Sequence, residues 1–320
     1  MQHAPKKPFV SDKLAKRRKA HAKAKRILAF AVLVIVVAAL GYFIYADRFQ
    51  IKGVVVSGTQ AVQGEDVVTA ADGIISGKSL YVFPKRNIFL YSKKSLEAEL
   101  GQYFPRLDTI NIQIENKELA ISVTERDPAY LWCGESIPAT RQASFESICY
   151  FVDGTGYIFS LAPQFSDSVY MRIYTSLGEV TSADVAAAGE IPAEQTSINP
   201  IGQYAMKSTV LARVATFAKQ ITSTTFKPSA FSITPDGDAL IFLYRDSDTS
   251  PAIRYNPLHD PLTVVAQFKS AITTEPLKGK LATSLSTLDY IDVRFPNKIF
   301  YKFNDDIGQQ QDNAKDKQSE

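Results

Sequence analysis

The chain has 320 residues, 45% of them apolar, with 36 Lys and Arg against 33 Asp and Glu and only two cysteines. That is length for two domains and enough apolar material for real cores, which excludes a disordered or collagen-like chain. The net charge of +3 hides an asymmetry: residues 1–26 hold ten Lys or Arg and one Asp, a net of +9, which leaves −6 (3 minus 9) for the remaining 294.

The basic tail, 1–26, runs straight into Ile27 to Tyr45 (ILAFAVLVIVVAALGYFIY), which carries no charge. About 19 helical residues at about 1.5 Å each span roughly 28 Å, close to the thickness of a bilayer's hydrocarbon core, so a transmembrane helix is expected over 27–46. A cleaved signal peptide would have a shorter apolar region, roughly 7–15 residues, and a small-x-small site. After Tyr45 the chain reads Ala46-Asp47-Arg48-Phe49, with no such site. The cations at Lys16 to Lys19 and Lys23 to Arg26 place the N-terminus in the cytoplasm and everything from about Asp47 onward outside. Attraction to anionic lipid accounts for the tail more economically than nucleic acid, so the bilayer is the expected partner and nucleic acid is not.

Beyond the helix, Phe49 to Ser57 (FQIKGVVVS) reads as a strand ended by Ser57-Gly58. Ala61 to Ala71 has the spacing of a short helix stopped by Asp72-Gly73. A loop containing Leu80, Tyr81, Val82 and Phe83 follows, then helical spacing from Ser92 to Phe104. Leu107 to Glu115 and Leu119 to Glu125 alternate strictly, and Asn116-Lys117 joins them as a tight turn. This gives strand, helix, helix, strand, strand over 49–126.

From 127 to 303 the pattern is mostly strand. Tyr150 to Val152 and Tyr157 to Leu161 flank the hairpin signal Asp153-Gly154-Thr155-Gly156, and Met171 to Tyr174 is a further strand. Residues 178–200 read as a surface insertion. Gln203 to Ile221 is a helix with an apolar face, Ser229 to Thr234 and Ala239 to Tyr244 form a hairpin, and Pro261 to Thr273 is a short helix. Tyr290 to Phe295 and Lys298 to Phe303 close the fold around Pro296-Asn297, and 304–320 is too polar to pack and is expected to be disordered. The class is α+β, with the second domain mostly antiparallel. Cys133 and Cys149 lie at the inner ends of two apolar runs, so a disulfide could close the base of a hairpin there; two unpaired thiols are the alternative.

No catalytic, cofactor or metal site is expected. The histidines are His3, His21 and His259, and only His259 shares the outer compartment with the folded domains, between Leu258 and Asp260 in a loop. There is no HExxH, nucleophile elbow or P-loop. Gly154-Thr155-Gly156 lacks the third glycine and the helix of a dinucleotide site, and Asp246 and Asp248 are two acids in a polar loop.

In this order, Phe49 to Gly58 (FQIKGVVVSG), Ile121 to Ala129 (ISVTERDPA), Tyr150 to Phe159 (YFVDGTGYIF) and Leu288 to Phe295 (LDYIDVRF) resemble the bacterial cell-division family FtsQ, also called DivIB. The chain departs from the family in having Asn116-Lys117 where a Pro is frequent, and in a long insertion at 178–200. The resemblance implies that 49–126 is a POTRA domain and 127–303 the FtsQ-type β domain. It implies a non-enzymatic divisome scaffold in the cell (inner) membrane at the division septum, with FtsB- and FtsL-like proteins as partners and no small-molecule substrate. A POTRA-bearing scaffold of another envelope pathway and an anchored cell-wall hydrolase are the rival readings. In the family a partner segment adds to the sheet beside the last strand, and a C-terminal strand tends in any case to lie at a sheet edge. The residues this assigns to the partner are Tyr290, Asp292, Arg294, Lys298, Ile299, Tyr301 and Phe303, with Lys302 on the same strand; the alternative is that the aromatics fill the domain's own core. Glu125 and Arg126 read as a strand-end ion pair or a partner contact.

Overall fold

The computed structural model describes residues 12–79, 83–138, 147–165, 169–177, 199–243 and 251–304. Leu80 to Val82, Asp246, Asp248, most of the insertion at 178–200 and the tail from 305 on lie outside the described residues. Contacts divide the chain into two units, one of residues 1–104 with 109–124 and one of 105–108 with 125–320.

The first unit opens with helix α1, Asp12–Tyr45, longer than expected because the Lys-, Arg- and Ala-rich segment before Ile27 is also a good helix former. Within it His21–Tyr45, 25 residues, is the one described helix long and apolar enough to cross a membrane, and none of that span is buried in the protein. A single turn of 3-10 helix, Asp47–Phe49, separates it from strand β1, Gly53–Ser57. The strand is thus shorter than the expected Phe49 to Ser57. Gly58, at φ 92°, ends it, and a Cβ there would run into the Val123 carbonyl oxygen.

Helix α2 spans Gly64–Ile75 and overruns the expected stop at Asp72-Gly73. Val67, Ala71 and Ile75 form one buried stripe at four-residue spacing, and burying Ile75 outweighs the roughly 1 kcal/mol that an interior Gly costs. Asp72 also takes an ion pair from Arg86. The loop after it contains two short paired strands, β2 (Lys78–Ser79) and β3 (Phe83–Pro84). Helix α3, Lys93–Tyr103, is capped by the Ser92 hydroxyl, which accepts from Ser95 N–H at 3.3 Å, and it buries Leu96 and Leu100. Strands β4 (Leu107–Glu115) and β5 (Glu118–Glu125) meet at Asn116 and Lys117, both with positive φ (51° and 70°), the backbone of a two-residue hairpin turn. The sheet order is β1-β5-β4, with β1 and β5 parallel. Leu119, Ile121 and Val123 alternate into the core, as the sequence pattern requires.

The second unit holds a nine-stranded sheet. Its strands are β6 (Tyr130–Trp132), β7 (Tyr150–Val152), β8 (Ile158–Leu161), β9 (Met171–Tyr174), β10 (Pro228–Ile233), β11 (Ala239–Leu243), β12 (Ala252–Tyr255), β13 (Leu288–Phe295) and β14 (Lys298–Phe303), in the order β14-β13-β12-β11-β10-β9-β6-β7-β8. Five of the eight pairings are antiparallel; β6 with β9, β9 with β10 and β12 with β13 are parallel. The sheet is therefore mixed, because long excursions carry the chain back in the same direction before β9, β10 and β13.

Helix α4, Ser208–Ile221, and helix α5, Pro261–Ile272, pack together over one face of this sheet. Leu211, Val214, Phe217, Val264 and Phe268 from the helices join Ile173, Phe231, Ile241, Ile253 and Ile291 from the strands in one core. Phe217 stacks on Tyr255 with centroids 4.6 Å apart, and burial raises the Tyr255 pKa to about 12. Helix α4 begins later than the expected Gln203. Residues 203–205 are drawn instead into backbone bonds with the first residue of β8 and the turn before it, with Ile158 N–H donating to Gln203 O and Ala205 N–H to Gly156 O, both at 2.8 Å. Helix α6, Leu277–Ser284, follows α5.

The second face of the sheet carries a smaller cluster of Leu131, Cys133, Cys149, Phe151, Phe159 and Tyr174. Cys133 and Cys149 are joined by a disulfide, 16 residues apart in sequence, just beyond the paired ends of β6 and β7. Closing a loop of that size is worth about 3 kcal/mol in the chain-entropy model. Reduction, or Cys133→Ser with Cys149→Ser, is expected to lower the unfolding free energy by about that amount in a denaturant titration; an unchanged midpoint would show that the bond constrains nothing.

Candidate partner-binding site

An open sheet has two edges, here β8 and β14. At the start of β8 the outer backbone is engaged: besides the two bonds above, Gly202 N–H donates to Ile158 O at 2.8 Å, and Tyr157 bridges to Tyr204. That segment covers this edge at residues 156–158. At β14 the only described strand neighbour is β13.

The register decides which groups β14 turns outward. Asn304 N–H donates to Thr287 O at 2.8 Å, so residue 304 points its donor inward. From Phe303 to Lys298 the two irregularities both place the extra residue on β13, between Leu288 and Tyr290 and between Asp292 and Phe295, and β14 itself runs unbroken. Alternation then turns the N–H groups of Phe300 and Lys302 toward β13 and those of Ile299, Tyr301 and Phe303 away from it.

Side chains sort by the same alternation. Phe303 is 2% exposed and sits in the core, while Ile299 and Tyr301 are partly buried against it. These three were expected among the partner-facing side chains. Phe303 is corrected to a core residue, because its Cβ points to the helix-covered face, and Ile299 and Tyr301 share that face. The opposite face presents Phe300, 52% exposed and packed edge-on against Phe295 at 5.6 Å, and Lys302, which pairs with Asp289 at 2.8 Å. Hydrogen bonding to Asp289 raises the Lys302 pKa. Phe300 and Phe295 escaped the sequence reading because their exposure is visible only once the parity of β14 is known.

On β13, Tyr290 carries the Arg254 guanidinium over its ring at 4.5 Å. Asp292 is buried and is gripped by Arg294, whose Nε donates to Oδ1 at 2.9 Å and whose Nη2 donates to Oδ2 at 2.6 Å; Nη1 of Arg294 reaches Asp238 at 2.7 Å. The bonds to Asp292 and then to Asp238 raise the Arg294 pKa, so this cation is permanent. Asp292 is thereby a support for Arg294 and not a surface contact. Lys298 is exposed beside the turn, and the Gln267 amide ties that turn to α5 through Phe295 O at 2.8 Å. The sheet end thus offers a backbone edge flanked by exposed aromatic rings and fixed cations.

Glu125 and Arg126 each have an ion partner within the second unit. Glu125 takes Arg106 Nε at 2.9 Å, while Arg126 Nη1 reaches Asp153 at 2.6 Å and Asp108 at 3.0 Å. Both belong to internal ion pairs of the second unit. His259 lies in the turn after β12, where its carbonyl accepts from the Tyr255 hydroxyl at 3.2 Å. Among the described residues no group of three or more His, Cys, Asp or Glu could hold a metal ion. No protein-family model matches the chain. No curated protein matches it in sequence.

Proposed function

We propose that this protein is a membrane-anchored scaffold of the FtsQ/DivIB type, with a POTRA-like first unit, that binds FtsB- and FtsL-like division proteins outside the cytoplasmic membrane. The observation that carries the reading is the edge strand β14, which has β13 as its one strand neighbour among the described residues and turns a row of backbone donors outward. A partner strand adding there gains main-chain bonds without any catalytic group being required. The apolar helix and the basic segment before it support an anchor with its N-terminus in the cytoplasm.

A fluorescent fusion tests the function: a midcell ring is expected, whereas a diffuse membrane signal places the scaffold in another envelope pathway, and muralytic activity of the purified protein would make it a hydrolase. Topology has its own test. Protease added outside spheroplasts is expected to digest the chain after Asp47 and spare a tag at Met1, and protection of the C-terminal part would invert the orientation.

A further inference from the structure

The segment that follows β3 is fastened to the end of helix α1 by side-chain and backbone bonds. The last carbonyls of a helix have no partner within it, and here a folded unit supplies one. Asn87, 1% exposed, donates its amide Nδ2 to Phe43 O at 3.0 Å and Ile44 O at 3.1 Å, while the Gln50 amide also reaches Ile44 O at 2.9 Å. Backbone bonds add Ile88 N–H to Phe49 O at 2.9 Å and Ile51 N–H to Arg86 O at 2.8 Å. The Asn87 Oδ1 accepts from Phe89 N–H at 2.9 Å and so shapes the following turn.

Just past this clamp, the chain exposes apolar side chains where a water-facing turn would be polar. Phe89 is 70% exposed and Leu90 41% exposed. The Phe89 ring continues a row of aromatics from the helix itself, with Phe43 to Phe49 at 5.1 Å and Phe49 to Phe89 at 5.7 Å, and the Arg48 guanidinium lies 5.6 Å from the Phe49 ring centre. Aromatic rings with a cation beside them are the side chains that settle at the boundary between headgroups and acyl chains.

We propose that the turn carrying Phe89 and Leu90 docks into the headgroup boundary of the bilayer leaflet at the C-terminal end of helix α1, so that the first unit lies on the membrane surface instead of swinging from a linker. The proposal rests on α1 spanning the membrane. What argues for lipid over a protein partner is continuity: the exposed rings extend without a break from an apolar helix whose own surface is unburied, and the Asn87 clamp holds them at the level of its last turn.

The full-length protein in vesicles of phosphatidylcholine brominated near the headgroup end of the acyl chains tests this, with the parent's Trp132 emission subtracted. Phe89→Trp is expected to lose at least half of its added emission to the bromines and to resist aqueous iodide. Val36→Trp, in the middle of the helix, is the control for the anchor. Quenching of Val36→Trp by deeply brominated lipid, with Phe89→Trp open to iodide and untouched by bromine, overturns the docking and leaves the anchor standing. No quenching of Val36→Trp overturns the spanning reading itself, and the docking falls with it.

Discussion

Proline at Ile299 or Tyr301 is expected to abolish capture of a partner strand while the domain stays folded, whereas proline at Phe300 or Lys302 is expected to break the last hairpin. The two outcomes separate because β14 is unbroken and Asn304 fixes its parity. An outward N–H that Pro deletes is one that only a partner uses, and Pro is tolerated on an edge strand where its missing donor faces solvent. An inward N–H belongs to the ladder with β13. Ile299→Ala and Tyr301→Ala serve as controls, since both side chains pack against the core and their loss must be told apart from the loss of a donor. If backbone pairing supplies the affinity, these alanine variants weaken pull-down only modestly. Pull-down of the proposed FtsB- and FtsL-like partners together with thermal unfolding of each variant gives the result. Full retention of binding by folded Ile299→Pro and Tyr301→Pro would remove the edge mechanism and direct attention to the first unit.

That experiment could not be framed this sharply from sequence. The strict alternation of Leu107 to Glu115 and Leu119 to Glu125 was enough to read two strands and their turn, even though Asn116-Lys117 contains no glycine, because a buried face leaves only one register. Where tertiary contacts compete with local pattern the reading slipped. Helix α2 ran past Asp72-Gly73 to bury Ile75, and residues 203–205 left helical spacing to line the start of β8. Strand β12 was missed because it is four residues long, carries an Arg, and shows only Ile253 and Tyr255 as an inward pair. Helix α6 was missed because Gly279 and two lysines interrupt any apolar stripe. The position of β14 at the end of the chain hinted at an edge, but that the start of β8 is covered depends on contacts between Gly156–Ile158 and Gly202–Ala205, far apart in sequence. The buried side of Phe303 likewise follows from register, which hydrophobicity alone does not specify.

Removing the Asp153 carboxylate is expected to cost the second unit about 3 kcal/mol, in the range of about 3–5 kcal/mol for stripping one partner from a buried ion pair. Asp153 sits in the turn between β7 and β8, with its side chain 8% exposed. One oxygen accepts from Thr155 N–H at 2.8 Å, the Thr155 hydroxyl at 2.6 Å and Tyr157 N–H at 3.1 Å; the other accepts from Arg126 at 2.6 Å. Asp153→Ala leaves those donors unpaired and Arg126 with Asp108 and the Pro105 carbonyl, which places the loss toward the low end. At about 2–4 °C per kcal/mol for a domain of this size, the melting temperature should fall by about 6–12 °C. Burial alone would raise the Asp153 pKa, but the bonds from Thr155, Tyr157 and Arg126 outweigh it and hold the carboxyl below its ordinary value. A carboxyl depressed on folding stabilises above its unfolded pKa, near 3.9, and loses that contribution as pH falls through the folded value. The gap between the parent and Asp153→Ala should therefore be full at pH 7 and at pH 5 and begin to narrow below about pH 4, shrinking further as pH falls toward the folded value. Melting curves at pH 7, 5 and 3 provide the measurement. A gap that stays constant across that range would assign the loss to turn geometry alone, and no gap at pH 7 would show that Arg126 and the Thr155 turn are held by other contacts.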